Sequence, residues 1–272
     1  MTVLLLVGII CCVLILLYLL SVKGRTGHTG LCELRSYVYA HRGLHGAKAA
    51  ENSLTAFAEA KRAGYGVELD VHLLADGNLA VIHDSSLQRT TGREGYIEDL
   101  TTSLLKNYFL EETSDTIPTF REVLDLLAGS APIIVELKSV RNNYAELCKA
   151  ACEMMDSYSG PYCMESFDPR CIRWLRKNRP EIIRGQLTED YFASVNENVP
   201  FILKLSLKYQ MLNFLTKPDF IAYRYRDRKN VSNFICRKFW RMQGVTWTLK
   251  SKHDYDMAVK EGWIPIFEGF TP

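Results

Sequence analysis

Two histidines, two alternating carboxylates and an arginine arrive at the ends of strand-like segments within one stretch, Tyr37–Asp84, which reads YVYAHRGLHGAKAAENSLTAFAEAKRAGYGVELDVHLLADGNLAVIHD. His41 and Arg42 follow one short apolar run, Glu68 and Asp70 lie in a second, and His83 and Asp84 close a third. Further along, Glu136 and Lys138 end a fourth. Side chains alternate along a strand, so Glu68 shares a face with Asp70, and Glu136 with Lys138. Burying Glu68 beside Asp70 without a cation is costly. Three carboxylates from two strands supply the hard oxygen donors that one divalent cation, Mg²⁺ or Ca²⁺, takes; a zinc site draws more on His and Cys. Glu68, Asp70 and Glu136 with a divalent cation, Arg42 and Lys138 sum to a near-neutral to positive cradle, suited to a phosphodiester. Two histidines at its edge, His41 and His83, can divide proton transfer. One takes a proton from the attacking hydroxyl or water, and the other protonates the leaving alkoxide. His45, His72 and His253 are expected to be packed, hydrogen-bonded residues, although His72 shares a strand face with Asp70.

Positioning these groups requires strands that all end at one rim. Strand-like runs alternate with helical patterns and centre on Val38, Val67, Ile133, Cys163, Ile183, Ile221, Thr246 and Ile266. Alternation of that kind implies a parallel sheet. Eight units match a (β/α)8 TIM barrel, usually about 250 residues long, whose catalytic groups sit at the C-terminal strand ends; a doubly wound open sheet is the other arrangement that the pattern allows. Asn52 or Ser53 caps a helix with Leu54, Phe57, Ala58 and Ala60 inward and Gly64 at its end. Thr119-Phe120-Arg121-Glu122 is a capping box, and Asp168-Pro169 opens another helix. Asp76-Gly77 turns the chain towards the apolar extension Leu79–Ile82. Between Ser85 and Ile117 the periodicity weakens, and one short helix is expected near Leu104.

The chain has 272 residues, 47% hydrophobic and 24% charged, enough for a substantial core. A formal net charge of +2 without a Lys/Arg run argues against nucleic acid as a partner. Val3–Leu20 carries no charge and as a helix spans about 27 Å, close to a bilayer core. It reads as an uncleaved transmembrane anchor, because Met1-Thr2 is not basic and no A-x-A pattern follows; a cleaved signal peptide is the competing reading. Lys23, Arg25 and Arg35 follow the segment, so the positive-inside rule puts the catalytic domain on the cytoplasmic side of a single-pass protein. Residues 21–35 show no hydrophobic period and are expected to be a tether before a barrel over 36–272. The eight cysteines form no C-x-x-C pair or zinc spacing, which favours a reducing compartment.

Taken in order, His41-Arg42-Gly43, Glu51-Asn52-Ser53, Glu68-Leu69-Asp70-Val71, Asp76-Gly77, His83-Asp84, Ile117-Pro118-Thr119, Glu136-Leu137-Lys138, Ser166-Phe167 and Trp247-Thr248 resemble the glycerophosphodiester phosphodiesterase family signature, over essentially the whole chain after the tether. The resemblance implies a TIM-type barrel with an insertion (85–117) after its second strand. It implies hydrolysis of glycerophosphodiesters to glycerol 3-phosphate and an alcohol, in glycerophospholipid metabolism. It assigns His41 and His83 to acid/base work, Glu68, Asp70 and Glu136 to the metal, and Arg42 and Lys138 to the phosphate. Glu51 and Asn52 take a supporting role, and Phe167 and Trp247 resemble pocket walls. Ala50 stands where the family usually has proline, Glu165 is an unusual charge at a strand end, and Tyr223-Arg224-Tyr225-Arg226 is a distinctive cluster able to grip an anionic headgroup. Two other functions remain open at this level: lysophospholipase D-like cleavage of membrane lysophospholipids, and a non-catalytic membrane-anchored binding domain. The latter predicts loss of an acid/base or metal residue, and none is missing.

Overall fold

The computed structural model describes residues 2–193 and 199–272. Its strands are β1 (Tyr39–His41), β2 (Gly66–Leu73), β3 (Leu79–Val81), β4 (Ile133–Leu137), β5 (Tyr162–Ser166), β6 (Arg184–Thr188), β7 (Phe220–Arg224), β8 (Gln243–Leu249) and β9 (Trp263–Phe267). Eight of them run parallel and close into a barrel, because β1 pairs with both β2 and β9. The exception is β3, which folds back antiparallel on β2 as a hairpin arm. All eight strand centres expected from the sequence lie on barrel strands or within a residue of one. Strands buried on both faces read as continuous apolar runs, and that is what made them legible.

Several helices start at a side-chain cap. Ser53 Oγ accepts from Ala56 N at 3.1 Å and caps α3 (Leu54–Arg62), which buries Ala56, Phe57 and Ala60. Thr119 and Glu122 form the expected capping box on α5 (Phe120–Leu127). Asp168 with Pro169 opens α7 (Pro169–Asn178), and α6 spans Tyr144–Met155. After β6 come two short helices, α8 (Phe201–Lys208) and α9 (Asn213–Thr216). The next one starts at α10 (Val231–Phe234) and continues as a π-helical turn, Ile235–Phe239. The last is α11 (Lys252–Lys260).

The insertion holds α4 (Gln88–Thr91) and a 3-10 turn at Thr102–Asn107, where a short helix was expected near Leu104. It is not a loose excursion. Leu87, Ile97, Leu105 and Leu110 bury with Ala80 and Ile82 in a core of their own.

The amino-terminal helix α1 (Thr2–Ser21) has no buried residue and is long and apolar enough to cross a membrane. The stretch after it departs from the expected tether, because it is fastened to the barrel. Val22 is fully buried. Arg25 grips Asp219 through two bonds of 2.5 and 2.6 Å. A short helix, α2 (Leu31–Leu34), sends Leu31 and Leu34 into the barrel-interior cluster with Tyr39, Phe220 and Val245. Tyr39 Oη donates to Leu34 O at 3.0 Å. One apolar pair three residues apart is too brief for a period to show.

Barrel packing leaves room at the strand mouths by filling the interior below them. At Gly185 a Cβ would meet the Phe220 ring at 2.1 Å, so glycine is what lets that ring enter the barrel.

Candidate active site

Strand register assembles the polar groups. His41 lies opposite Glu68, Asp70 opposite Glu136, and Glu136 opposite Glu165. One oxygen from each of Glu68, Asp70 and Glu136 lies within 4.8 Å of the other two, and all three residues are buried. Such crowding separates their proton affinities. Burial, with Asp70 and Glu136 beside it, holds Glu68 well above the usual carboxylate range. Burial also raises Glu136, against the pull of Lys138. Asp70 goes the other way: burial would raise it, but Lys138, His83 and Arg42 together hold it well below.

Several buried polar atoms here lack a hydrogen-bond partner: Asp70 Oδ1, Asn52 Oδ1, Glu165 Oε2 and Arg42 Nε. Lys138 Nζ forms an ion pair with Asp70 Oδ1 at 3.0 Å. Unsatisfied buried groups are rare in folded proteins. Buried carboxylate and amide oxygens gathered in this way are the kind of donors that a hard cation takes. The residues therefore fit a divalent cation held by Glu68, Asp70 and Glu136.

Both histidines sit at the rim with a carboxylate behind them. His41 Nδ1 lies 2.5 Å from Glu268 Oε2, and His83 Nδ1 lies 2.6 Å from Asp84 Oδ1. A carboxylate on Nδ1 fixes the tautomer and leaves Nε2 for proton transfer. Burial lowers His41 below the ordinary histidine value, against the opposing pull of Glu268. His41 Nε2 stands 3.9 Å from Glu68 Oε2.

Around this centre, Arg42 and Asn52 both adopt φ 55°, a left-handed backbone that asparagine tolerates and arginine resists. That turn lets Arg42 N donate to Glu68 Oε2 at 3.2 Å and Asn52 N to Arg42 O at 2.9 Å. Asn52 Nδ2 donates to Asp70 Oδ2 at 2.9 Å. Glu51 bridges Arg42 (2.9 Å) and Arg89 (2.6 Å). Lys138, expected on the phosphate, sits 2.6 Å from Glu136 Oε1, so it faces the carboxylates directly. Phe167 and Trp247 meet edge to face at 5.5 Å and line a small pocket with His41 and His83. A wider cleft of about 810 Å³ opens beside it, with His83, Lys138, Phe167, Tyr191, Leu203 and Leu207 in its walls.

The structure thus brings every expected site residue to one rim. Of the remaining histidines, His72 is packed as expected, bonded to Glu98 at 2.6 Å and His83 O at 3.1 Å. His45 differs, since its buried Nε2 has no partner, and it lies with His41 and Glu268. His253 is exposed on the first turn of α11. The Tyr223–Arg226 cluster is mostly internal: Tyr223 is buried and Arg224 pairs with Glu189 and Asp227, leaving Arg226 exposed. Sequence reasoning missed Glu268, which reaches the site from a distant segment, and gave no role to Arg89, which follows His83-Asp84 by a few residues and joins Glu51 and Asp84. Glu165 stood out as a charge at a strand end; it proves buried, with burial and then Glu136 raising it well above the usual range.

Fold and site together define a (β/α)8-barrel enzyme built around an acidic centre for an anionic substrate. The model of the glycerophosphoryl diester phosphodiesterase family matches residues 41–263, and the chain belongs to that family. It is 37% identical over 271 residues to glycerophosphodiester phosphodiesterase 1 of Bos taurus, covering 86% of this chain and 79% of that protein. It is also 37% identical over 164 residues to a glycerophosphodiester phosphodiesterase of Bacillus altitudinis; the match covers 56% of this chain and spans 66% of that relative's length. Among solved structures, a phosphodiesterase of Oleispira antarctica in complex with the product sn-glycerol-3-phosphate superimposes with a TM-score of 0.72 at 22% identity, over 90% of this chain and 95% of the other. The glycerophosphodiester phosphodiesterase of Thermotoga maritima gives 0.65 at 27% identity, over 85% and 93%.

Proposed function

We propose that this protein hydrolyses glycerophosphodiesters to glycerol 3-phosphate and an alcohol with the help of one divalent cation, Mg²⁺ or Ca²⁺, as a step in glycerophospholipid metabolism. The observation that carries the reading is the buried Glu68–Asp70–Glu136 trio flanked by two histidines, each with Nδ1 on a carboxylate. When bound, the cation would offset most of the trio's charge and polarise a phosphoryl oxygen. Arg42 and Lys138, paired here with Glu51 and with Glu136 and Asp70, would bind the other phosphate oxygens. The P–O bond to the departing alcohol breaks as one forms from the attacking oxygen, either water or the neighbouring glycerol hydroxyl; in the second case water then adds to the cyclic phosphate and breaks its ring P–O bond to give glycerol 3-phosphate. Of His41 and His83, one accepts the attacking group's proton at Nε2 and the other delivers a proton to the leaving alkoxide. Glu51 and Asn52 hold Arg42 and Asp70 in place, and Phe167 with Trp247 walls the pocket against water.

The test is a release assay with purified full-length protein on a panel of glycerophosphodiesters, with and without chelator. Turnover that survives chelation unchanged would overturn the metal role. Transient cyclic phosphate would identify the glycerol hydroxyl as the attacking group. One observation favours a second reading: the cleft beside His83 is walled by Leu203, Leu207, Phe167 and Tyr191, apolar enough for an acyl chain. Turnover of lysophospholipids but not of glycerophosphoethanolamine would replace the first substrate class by that one. The length and exposure of α1 support a single-pass anchor, and Lys23, Arg25 and Arg35 support a cytoplasmic barrel. Digestion of the barrel by protease added outside intact cells would refute that side.

A further inference from the structure

Helix α8 is anomalous in the outer ring. It reads FILKLSLK, yet Leu207 is its one buried residue, and Phe201 and Ile202 are 68% and 76% exposed. A surface helix of this composition ordinarily turns its apolar stripe inward. Outside α1, most of the large exposed apolar side chains among the described residues gather in the same sector, including Phe192, Phe214, Phe234 and Phe239. The rest of the barrel shows Tyr96, Leu104, Phe109 and Val259.

The foot of α1 is planted in that sector. Asn213 Nδ2, on α9, donates to Val22 O at 3.0 Å, and Trp240 Nε1 donates to Leu19 O at 2.9 Å. Gln210, just past α8, joins Ser232 and Asn233 of α10 at 3.1 and 2.6 Å. The charge there is one-sided. Between Pro200 and Met242 the acidic residues are Asp219, which is buried, and Asp227, which pairs with Arg224. Arg226, Lys229, Lys238 and Arg241 are exposed. Apolar side chains ringed by basic ones beside a membrane-length helix are the pattern of an interfacial surface.

We propose that the sector from α8 to the π-turn after α10 rests on the anionic phospholipid surface of the bilayer that α1 spans. The inference rests on reading α1 as a span. Because Leu203 and Leu207 also wall the cleft shared with His83 and Lys138, docking would bring one wall of that cleft to the lipid interface.

The experiment reconstitutes the full chain in phosphatidylglycerol-containing vesicles, with or without lipid brominated on its acyl chains. Tryptophan emission is compared between the parent and the variants Ile202→Trp, Phe239→Trp and Arg62→Trp. Arg62 lies on α3, across the barrel from α8 in strand order, and its side chain is 77% exposed. The added emission at 202 and 239 should shift to the blue and fall about twofold with brominated lipid, while that at 62 should not change. Emission at 202 and 239 that behaves as at 62, in protein that floats with the vesicles, would overturn the docking and leave the span intact. A blue shift that ignores bromine and grows with the protein-to-lipid ratio would assign the surface to a second copy and overturn it too. A parent chain that does not float with vesicles would overturn the span and the docking with it.

Discussion

Glu268 shows what distance in sequence conceals. It lies 227 positions from His41, and no spacing rule links them, yet its carboxylate is the partner of His41 Nδ1. Asp84, adjacent to His83, was visible as a motif residue, but its grip on Nδ1 was not. If Glu268 orients His41, Glu268→Gln should lower kcat about 10- to 100-fold with little change in KM, since the substrate contacts stay in place. Glu268→Asp should recover part of the rate, and steady-state kinetics on both variants checks this. An equal loss in KM would reassign Glu268 to substrate binding. Replacing either base outright is harsher: His41→Ala and His83→Ala should each cost about 10²- to 10⁴-fold in kcat with an unchanged thermal midpoint. Asp84 also carries a pH signature. Its hydrogen bond to His83, with Arg89 behind it, holds it well below the usual range. A depressed carboxylate stabilises the fold at pH values above its unfolded value of about 3.9, and that contribution fades as pH falls through the folded value. Urea unfolding of the wild type and Asp84→Asn should therefore differ at pH 7, with a gap that starts to narrow below about pH 4 and closes only well below pH 3.

Elements were legible in proportion to the length of their hydrophobic pattern. The barrel strands and α3, α5, α6 and α7 announced themselves through apolar runs and caps such as Ser53 and Thr119. The strap after α1 did not, because α2 is four residues long and offers one buried pair. Its anchorage is electrostatic as much as apolar. Arg25 spans Asp219 and also donates to Pro180 O and Ile182 O, tying the strap to the rim where β6 and β7 begin. Asp219 is fully buried in its side chain, so removing Arg25 leaves a buried charge without its cation. Arg25→Ala should destabilise the barrel by about 3 kcal/mol, seen as a fall in the thermal midpoint. Arg25→Lys keeps the charge but loses the two-pronged grip, and should fall between the two.

At the scale of the whole molecule, the closed barrel puts the cation site and the stability of the fold on one balance. The sequence carried this far: Glu68 and Asp70 were legible as a pair because alternation along one strand places them on one face, and Glu136 because it closes another apolar run. Their mutual distance was not legible, because it depends on the register between β2 and β4, which no local pattern encodes. That register crowds three carboxylates within 4.8 Å and leaves Lys138 to offset them. Repulsion among the three works against the folded barrel, and a bound divalent cation would relieve it. A ligand that binds only the folded state adds RT ln(1 + [L]/Kd), about 2.7 kcal/mol at a hundredfold excess over Kd. Titrating Mg²⁺ or Ca²⁺ into chelator-treated protein should therefore raise the thermal midpoint, and Glu136→Gln should weaken the concentration dependence. Glu136→Gln also removes one of the repelling charges, so its cation-free midpoint should match or exceed the wild type's. A wild-type midpoint that ignores both cations, together with a variant that unfolds earlier without them, would mean that Lys138 alone satisfies the trio and that the cluster serves the fold alone.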